Sequence, residues 1–389
     1  MTAHVRFRSA RRQAIAIAVA LAAIWTAGTI TPAAPPPAAE FPQAASQVFP
    51  AAAWQRHADP RAAGYCQAGL DAATEKARAL ATTGMMVVVG GKVLWDYGDL
   101  GTLSYLASVR KSILAMLYGK YVANGTIRLD ATMADLGIDD VDGLLPQEKQ
   151  ATVRHLLTAR SGVYHAAANA ACTGCGSTMG DPPGARGSVQ PGSYFLYNNW
   201  DFNALGTIFE QQTKQDIYDA FAADLAAPLG LEDFDRAAQR KSNAPARSRH
   251  PAYHFYLSTR DMARLGYLML REGQWAGREI LSRAWVREMV TPVTRVGEMN
   301  PASLREGPFG YGYLWWIWDG PHNQGAYRGA YTGTGAIGQY ITVLPALDMV
   351  VAHKTRPSGS ASVGRTQYLG VIDAIVGARC GGQASGLRH

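Results

Sequence analysis

The sequence predicts an α/β (α+β) fold: an antiparallel sheet flanked by helices, with an all-helical lobe inserted into it. Three observations predict it. Residues 85–90 (MMVVVG) and 92–97 (KVLWDY) are β-rich runs joined through Gly90-Gly91, which reads as a hairpin. β character returns only at 311–319, 325–333, 337–345 and 347–354. Between about residues 103 and 290 the apolar residues recur at helical spacing, as in TVRHLLTA, DFNALGTIFEQQ, DIYDAFAADLAAPLG and TRDMARLGYLMLREG. Strands at both ends of a chain, with helices between them, suit a sheet that closes across an insertion.

Taken in order, residues 1–39 read as a targeting segment rather than fold. Arg6, Arg8, Arg11 and Arg12 precede the 17 uncharged residues 14–30, an n-region and an h-region. They serve as a signal peptide or an N-terminal anchor, which exports the rest of the chain to the periplasm or beyond. If uncleaved, residues 14–30 attach the protein to the inner membrane. Residues 40–61 read as a Pro/Ala-rich linker, within a stretch (31–60) that holds seven prolines. One domain follows over 62–380, with a sheet lobe at 62–110 and 291–380 and a helical lobe at 111–290. Residues 67–82 have helical composition, a closing helix fits 362–378, and 381–389 is a tail. No internal repeat is present.

Composition narrows the function. Hydrophobic residues make up 48% and charged residues 17%, enough for a large core. Net charge is +7, of which the four N-terminal arginines supply four, so +3 remains beyond them. No long Lys/Arg run follows, which gives no ground for a nucleic-acid partner. G-x-S-x-G, H-E-x-x-H and P-loop motifs are all missing from the sequence. His250 and His254 stand four apart, but Pro251 separates them, and they read as satisfied histidines. No metal and no organic cofactor is expected. Four cysteines suit an exported chain. Cys172 and Cys175 form a C-x-x-C in loop-like sequence, which reads as a structural disulfide or free thiols rather than a redox or zinc site.

The chemistry concentrates in Ser108-Val109-Arg110-Lys111, the one S-x-x-K in the chain. Residues three apart on a helix share a face, so the Lys111 amine can stand beside the Ser108 hydroxyl. Burial and a neighbouring cation keep such an amine neutral and able to take the serine's proton. Taken alone, the motif equally describes an N-cap serine with a surface lysine. Two strands before it and the apolar run 113–118 after it favour the catalytic reading. Tyr197-Asn198-Asn199 opens another helical run. A tyrosine near a lysine can be a phenolate-like base or a proton relay; the plainer alternative is a packed tyrosine with a capping asparagine. Gly333-Thr334-Gly335-Ala336 leads into the strand at 337–345. Glycines there admit a substrate to the backbone, whose N–H groups can bind an oxyanion; the plainer alternative is a β-bulge. Three such motifs, in this order and on these elements, point to an acyl-enzyme hydrolase.

Over about residues 65–378 the chain resembles the serine β-lactamase and penicillin-binding-protein superfamily. Besides the three motifs, the resemblance rests on TVRHLLTARSG, APLGLEDF, STRDMARLGYLMLREGQWAGREILSRAWVREMVTP and GAIGQYITVLPALDMVVAHK. It is nearest the branch of class C β-lactamases, family VIII esterases and 6-aminohexanoate-dimer hydrolase. It implies a β-lactamase/transpeptidase-like fold, with Ser108 acylated and Lys111 its base partner. Tyr197 is then the second base and Asn199 a polar residue facing the site. The Ser108 and Ala336 N–H groups form the oxyanion hole, beside Thr334 and Gly335. In the resembled fold the first and last helices lie side by side, which implies a Cys66–Cys380 disulfide.

The chain departs from that pattern at Gly333, where the family's third motif, K-T-G, has its lysine. Without that cation, an ester or amide lacking a carboxylate fits better than a β-lactam or a D-Ala-D-Ala peptide, unless Arg328 or His254 supplies the charge. The expectation is an exported serine hydrolase acting on a small-molecule ester or amide. A β-lactamase or D-Ala-D-Ala carboxypeptidase ranks second. A catalytically silent ligand-binding domain ranks third, because it has no need of Lys111 and Tyr197 together.

Overall fold

The computed structural model describes Met1 and residues 48–171 and 176–381. The expected targeting segment after Met1, the Cys172/Cys175 pair and the tail after residue 381 lie outside the described residues. Among the described residues no helix is long and apolar enough to cross a membrane.

The chain runs through α1 (Gln67–Arg78), β1 (Gly84–Val89), β2 (Lys92–Gly98), β3 (Ser104–Tyr105) and α2 (Val109–Ala123). Then come α3 (Val153–Leu157), α4 (Asn199–Thr213), α5 (Ile217–Phe221) and α6 (Ala227–Leu229). A second mixed stretch holds β4 (Arg240–Ala244), β5 (Ser248–His254), β6 (Tyr256–Leu257), α7 (Thr259–Leu270), β7 (Gln274–Trp275), β8 (Arg278–Glu279) and α8 (Arg283–Met289). The chain closes with β9 (Phe309–Tyr311), β10 (Trp316–Trp318), β11 (Tyr331–Gly335), β12 (Gln339–Leu344), β13 (Met349–Lys354) and α9 (Arg365–Gly377).

Seven strands form one antiparallel sheet in the order β2-β1-β13-β12-β11-β10-β9. β1 pairs with β13 from Gly84↔Lys354 to Val89↔Met349, so the first hairpin joins the last strands across the insertion. Gly90 and Gly91 both have positive φ, +59° and +81°, as a two-residue hairpin turn requires.

Strand alternation gives the sheet two faces. On one, Tyr340 stacks on Tyr368 of α9 at 4.0 Å, and the Thr342 and Tyr368 hydroxyls lie 2.7 Å apart. α1 lies against α9 on this face, and Cys66, its N-cap, is bonded to Cys380 with the Cα atoms 5.1 Å apart. This is the pairing the resemblance implied. On the other face Ile341 and Val350 meet α7 at Gly266, where a methyl group would come within 2.6 Å of Val350 Cγ1. α2 packs on this face over β11, with α4 and α8 beyond it. α2 is therefore buried nearly all round, every residue from Val109 to Gly119, the polar Arg110, Lys111 and Ser112 included.

The structure corrects several boundaries. Residues 48–61, expected as linker, dock on the domain. Phe49 and Trp54 pack edge-on against Tyr267, and the Tyr267 hydroxyl donates to the Val48 carbonyl at 2.7 Å. Two large aromatics in a proline-rich stretch outweigh its linker-like composition. The span 111–290 is not all helical. It carries the β4–β5 hairpin, and α7 inside it belongs to the sheet layer. The run 311–319 is two strands, reversed by a turn at Leu314 with φ +58°. Tyr311 and the residues from Tyr313 to Trp318 are all buried, so no alternation marked the reversal. Of 325–333, only Tyr331 onward is strand.

Candidate active site

The nucleophile turn is built from both ends of the insertion. β3 pairs with β6 through Ser104↔Leu257 and Tyr105↔Tyr256, and the Leu106 N–H donates to the Phe255 carbonyl at 3.0 Å. The buried Lys354 amine donates to the Ser104 and Leu257 carbonyls, which fixes this strand crossing. Ala107 then takes φ +48°, a left-handed conformation that alanine adopts only under constraint. The turn delivers Ser108 to the N-terminus of α2. The Ser108 hydroxyl makes no capping bond to the helix, which sets aside the N-cap alternative.

One helical turn on, Lys111 Nζ lies 2.7 Å from Ser108 Oγ and 2.7 Å from the Tyr197 hydroxyl. The amine also sits over the Tyr197 and Phe202 rings, at 4.5 and 4.7 Å from their centroids. Burial holds the Lys111 pKa well below the usual lysine range, and the Arg110 charge lowers it further. Tyr197 is buried between Phe202, Trp316 and Tyr311. Burial pushes its phenol up to about 12, against the opposing pull of its bond to Ser108 and the Arg110 charge. At neutral pH it is a neutral phenol, a state that suits a proton relay better than a phenolate base.

Asn198 caps α4 by accepting from the Trp200 N–H, and Asn199 is the first residue of that helix. The Asn199 amide donates to the Asn169 and Ala170 carbonyls, at 3.3 and 2.5 Å. Its Oδ1 is buried without a partner among the described residues.

β10 pairs only with Tyr331 and Thr332, so from Gly333 to Gly335 the edge of β11 turned toward β10 is left open. Gly335 abuts the nucleophile turn. A methyl group there would lie 2.5 Å from the Leu106 carbonyl and 3.1 Å from the Ser108 nitrogen. Ala336, the next residue, is exposed at the strand's end. Thr334 is half-buried, and alternation turns it toward the α9 face with Thr332, away from Gly333 and Gly335. Gly333 faces α2, where an added Cβ would sit 3.0 Å from Ser112 Oγ and 3.5 Å from Trp315. A side chain at 333 would start close against α2, tight at Ser112 and in ordinary contact with Trp315.

Neither expected substitute supplies that cation. Arg328 is exposed in the turn before β11, at the end away from Gly335. His254 is buried, its ring edge-on to Tyr105 at 5.3 Å. Burial, then the Arg110 charge, pull its pKa down to about 4, so it is neutral at pH 7. His250 hydrogen-bonds Thr207. Among the described residues no three His, Cys, Asp or Glu side chains are grouped to hold a metal.

Arg110, Asn203 and Tyr253 carry no functional signature of their own in the sequence. Arg110 is buried, its guanidinium 2.9 Å from Asn203 Oδ1 and 4.2 Å over the Tyr253 ring. It stood inside the quoted motif, and an arginine in so apolar a helix was the available signal.

A serine hydroxyl, a buried amine and a phenol in mutual reach, at the head of a buried helix and beside an open strand edge, define a serine hydrolase of the S-x-x-K type. The chain belongs to the beta-lactamase family, whose model matches residues 70–367. Solved structures share the fold. One is EstCE1, a hydrolase with promiscuous acyltransferase activity (16% identity, TM-score 0.58, 81% of this chain and 99% of that one). Another is a candidate 6-aminohexanoate-dimer hydrolase from Bacillus anthracis (17%, 0.57, 78% and 79%). A third is a penicillin-binding-protein homologue from Caulobacter crescentus (17%, 0.56, 81% and 99%). No curated protein sequence matches the chain.

Proposed function

We propose that this protein is an exported hydrolase of small esters or amides that works through an acyl-enzyme on Ser108. The observation that carries the proposal is the Lys111 amine, buried and 2.7 Å from both Ser108 Oγ and the Tyr197 hydroxyl. Neutral Lys111 takes the Ser108 proton as Oγ bonds to the substrate carbonyl carbon. The resulting oxyanion is met by the Ser108 and Ala336 N–H groups. As the C–O or C–N bond breaks, the proton passes from Lys111 through Tyr197 to the leaving group. Water then attacks the ester, gives its proton to the same pair, and releases the acid and free Ser108.

Two further observations support details of the reading. The missing cation at 333 favours a substrate without a carboxylate at that point. The Cys66–Cys380 disulfide suits an oxidising compartment, and hence export.

The test is parallel labelling with a fluorophosphonate and a fluorescent penicillin, with turnover of p-nitrophenyl butyrate and nitrocefin. The proposal expects fluorophosphonate labelling and ester turnover, with little reaction with either β-lactam. Efficient nitrocefin turnover would assign a β-lactamase instead. Failure of every reagent on folded protein would assign a silent binding domain.

A further inference from the structure

Arg110 poses a problem that the hydrolase mechanism leaves unanswered. The side chain is 1% exposed, and among the described residues no carboxylate pairs with it. Nη2 donates to the neutral Asn203 amide, and Nη1 is buried with no partner. A buried guanidinium without a counter-ion is costly, and a neutral side chain of similar size would fill the space at less cost. Its position offers a reason. It precedes Lys111 on α2, so the two side chains diverge by about 100° and do not meet. Any influence of one on the other passes through the field, which is strong where water is excluded.

The groups facing Arg110 leave that field unopposed. From β5 come Tyr253, under the guanidinium, and His254. From α4 comes Asn203, and from the segment before α4, Tyr197. β3 contributes Tyr105 and α5 contributes Tyr218. Burial raises all four tyrosines, and His254 is neutral at pH 7. Among the described residues no anion in this shell cancels the guanidinium.

We propose that Arg110 is a positioning residue that acts through Lys111: its unpaired charge adds to burial in favouring the proton-accepting amine, and takes the electrostatic place left empty by the lysine missing at 333. The third-motif strand supplies no cation at that point, because residue 333 is glycine. The nucleophile helix supplies it from its other side. This inference rests on Ser108 being the acylated residue, and its test separates the two.

The test is the pH dependence of Ser108 labelling by a fluorophosphonate, in the full chain and in Arg110→Gln, Arg110→Met and Arg110→Lys. In the parent the labelling rate rises with pH to a plateau as Lys111 loses its proton. In the Gln and Met variants that rise moves to higher pH by about one unit, the size of one nearby like charge. Below the rise, labelling is about tenfold slower; above it, the parent rate returns. Arg110→Lys keeps the charge and the parent profile. A neutral variant that is slower at every pH, with its rise unmoved, would overturn the inference and leave Arg110 a structural role. If neither neutral variant folds, Arg110→Lys decides: a folded Lys variant whose rise moves up by a unit also overturns it. Absence of labelling in the parent at any pH is a different failure, that of Ser108 as nucleophile.

Discussion

Replacing Gly335 with alanine tests how closely the third-motif strand serves the nucleophile. The new methyl carbon would sit 2.5 Å from the Leu106 carbonyl oxygen, 2.9 Å from Gln339 Cβ and 3.1 Å from the Ser108 nitrogen. Carbon and carbonyl oxygen rest at about 3.3–3.6 Å, so one side must retreat by about 1 Å. The Leu106 side is held. Its carbonyl accepts from the Val109 N–H at 3.1 Å, and its own N–H is tied to Phe255 at 3.0 Å. β11 therefore moves, and with it the Ala336 N–H that the proposed mechanism assigns to the oxyanion. Overpacking of this kind costs about 1–3 kcal/mol of stability. Displacing one oxyanion donor costs about 10²–10³ in rate. Urea unfolding and kcat/KM on p-nitrophenyl butyrate measure the two losses separately. A folded variant within about threefold of the parent kcat/KM would refute the placement of the oxyanion site, since a lost donor costs far more.

Other consequences follow from the same geometry. Lys111→Ala, Tyr197→Phe and the double variant should fall to similar low rates, because the two groups handle one proton; single effects that multiply in the double variant would mean they act independently. His353 is buried between the Thr82 hydroxyl and the Gly338 carbonyl, and burial lowers its pKa from 6.5 to about 4. The unfolded chain therefore binds that proton first, and its contribution is lost as pH falls from 6.5 toward 4. From pH 7 to 5 this group alone should remove about 2 kcal/mol, and His353→Gln should flatten the dependence seen in urea titrations. The Cys66–Cys380 bond spans 314 residues. Chain-entropy models give such a loop about 5–6 kcal/mol, so Cys66→Ser should lower the urea midpoint markedly, while an unchanged midpoint would count against that estimate.

What the sequence revealed was what local spacing can carry. Ser108 and Lys111 were legible because three residues on a helix define a face, whatever surrounds them. Tyr197-Asn198-Asn199 was legible as a helix start. Gly90-Gly91 marked the first hairpin through its demand for positive φ. Properties set by distant neighbours stayed hidden. Gly333 read as a lost lysine, but Ser112 and Trp315, which crowd its Cα, come from other elements. Arg110 lay in plain view, yet its isolation depends on what α4, α5 and β5 present to it. The reversal inside 311–319 was masked by burial on both sides, and the docking of 48–61 by its proline-rich composition.

The central claim is that Ser108 carries the acyl group. Intact-mass and peptide mass spectrometry of the protein after a fluorophosphonate or p-nitrophenyl butyrate pulse tests it most directly. The expected result is one adduct, on the peptide that contains Ser108, with no adduct and no ester turnover in a Ser108→Ala variant that melts as the parent does. An adduct on another residue, or turnover near the parent level in folded Ser108→Ala, would contradict it.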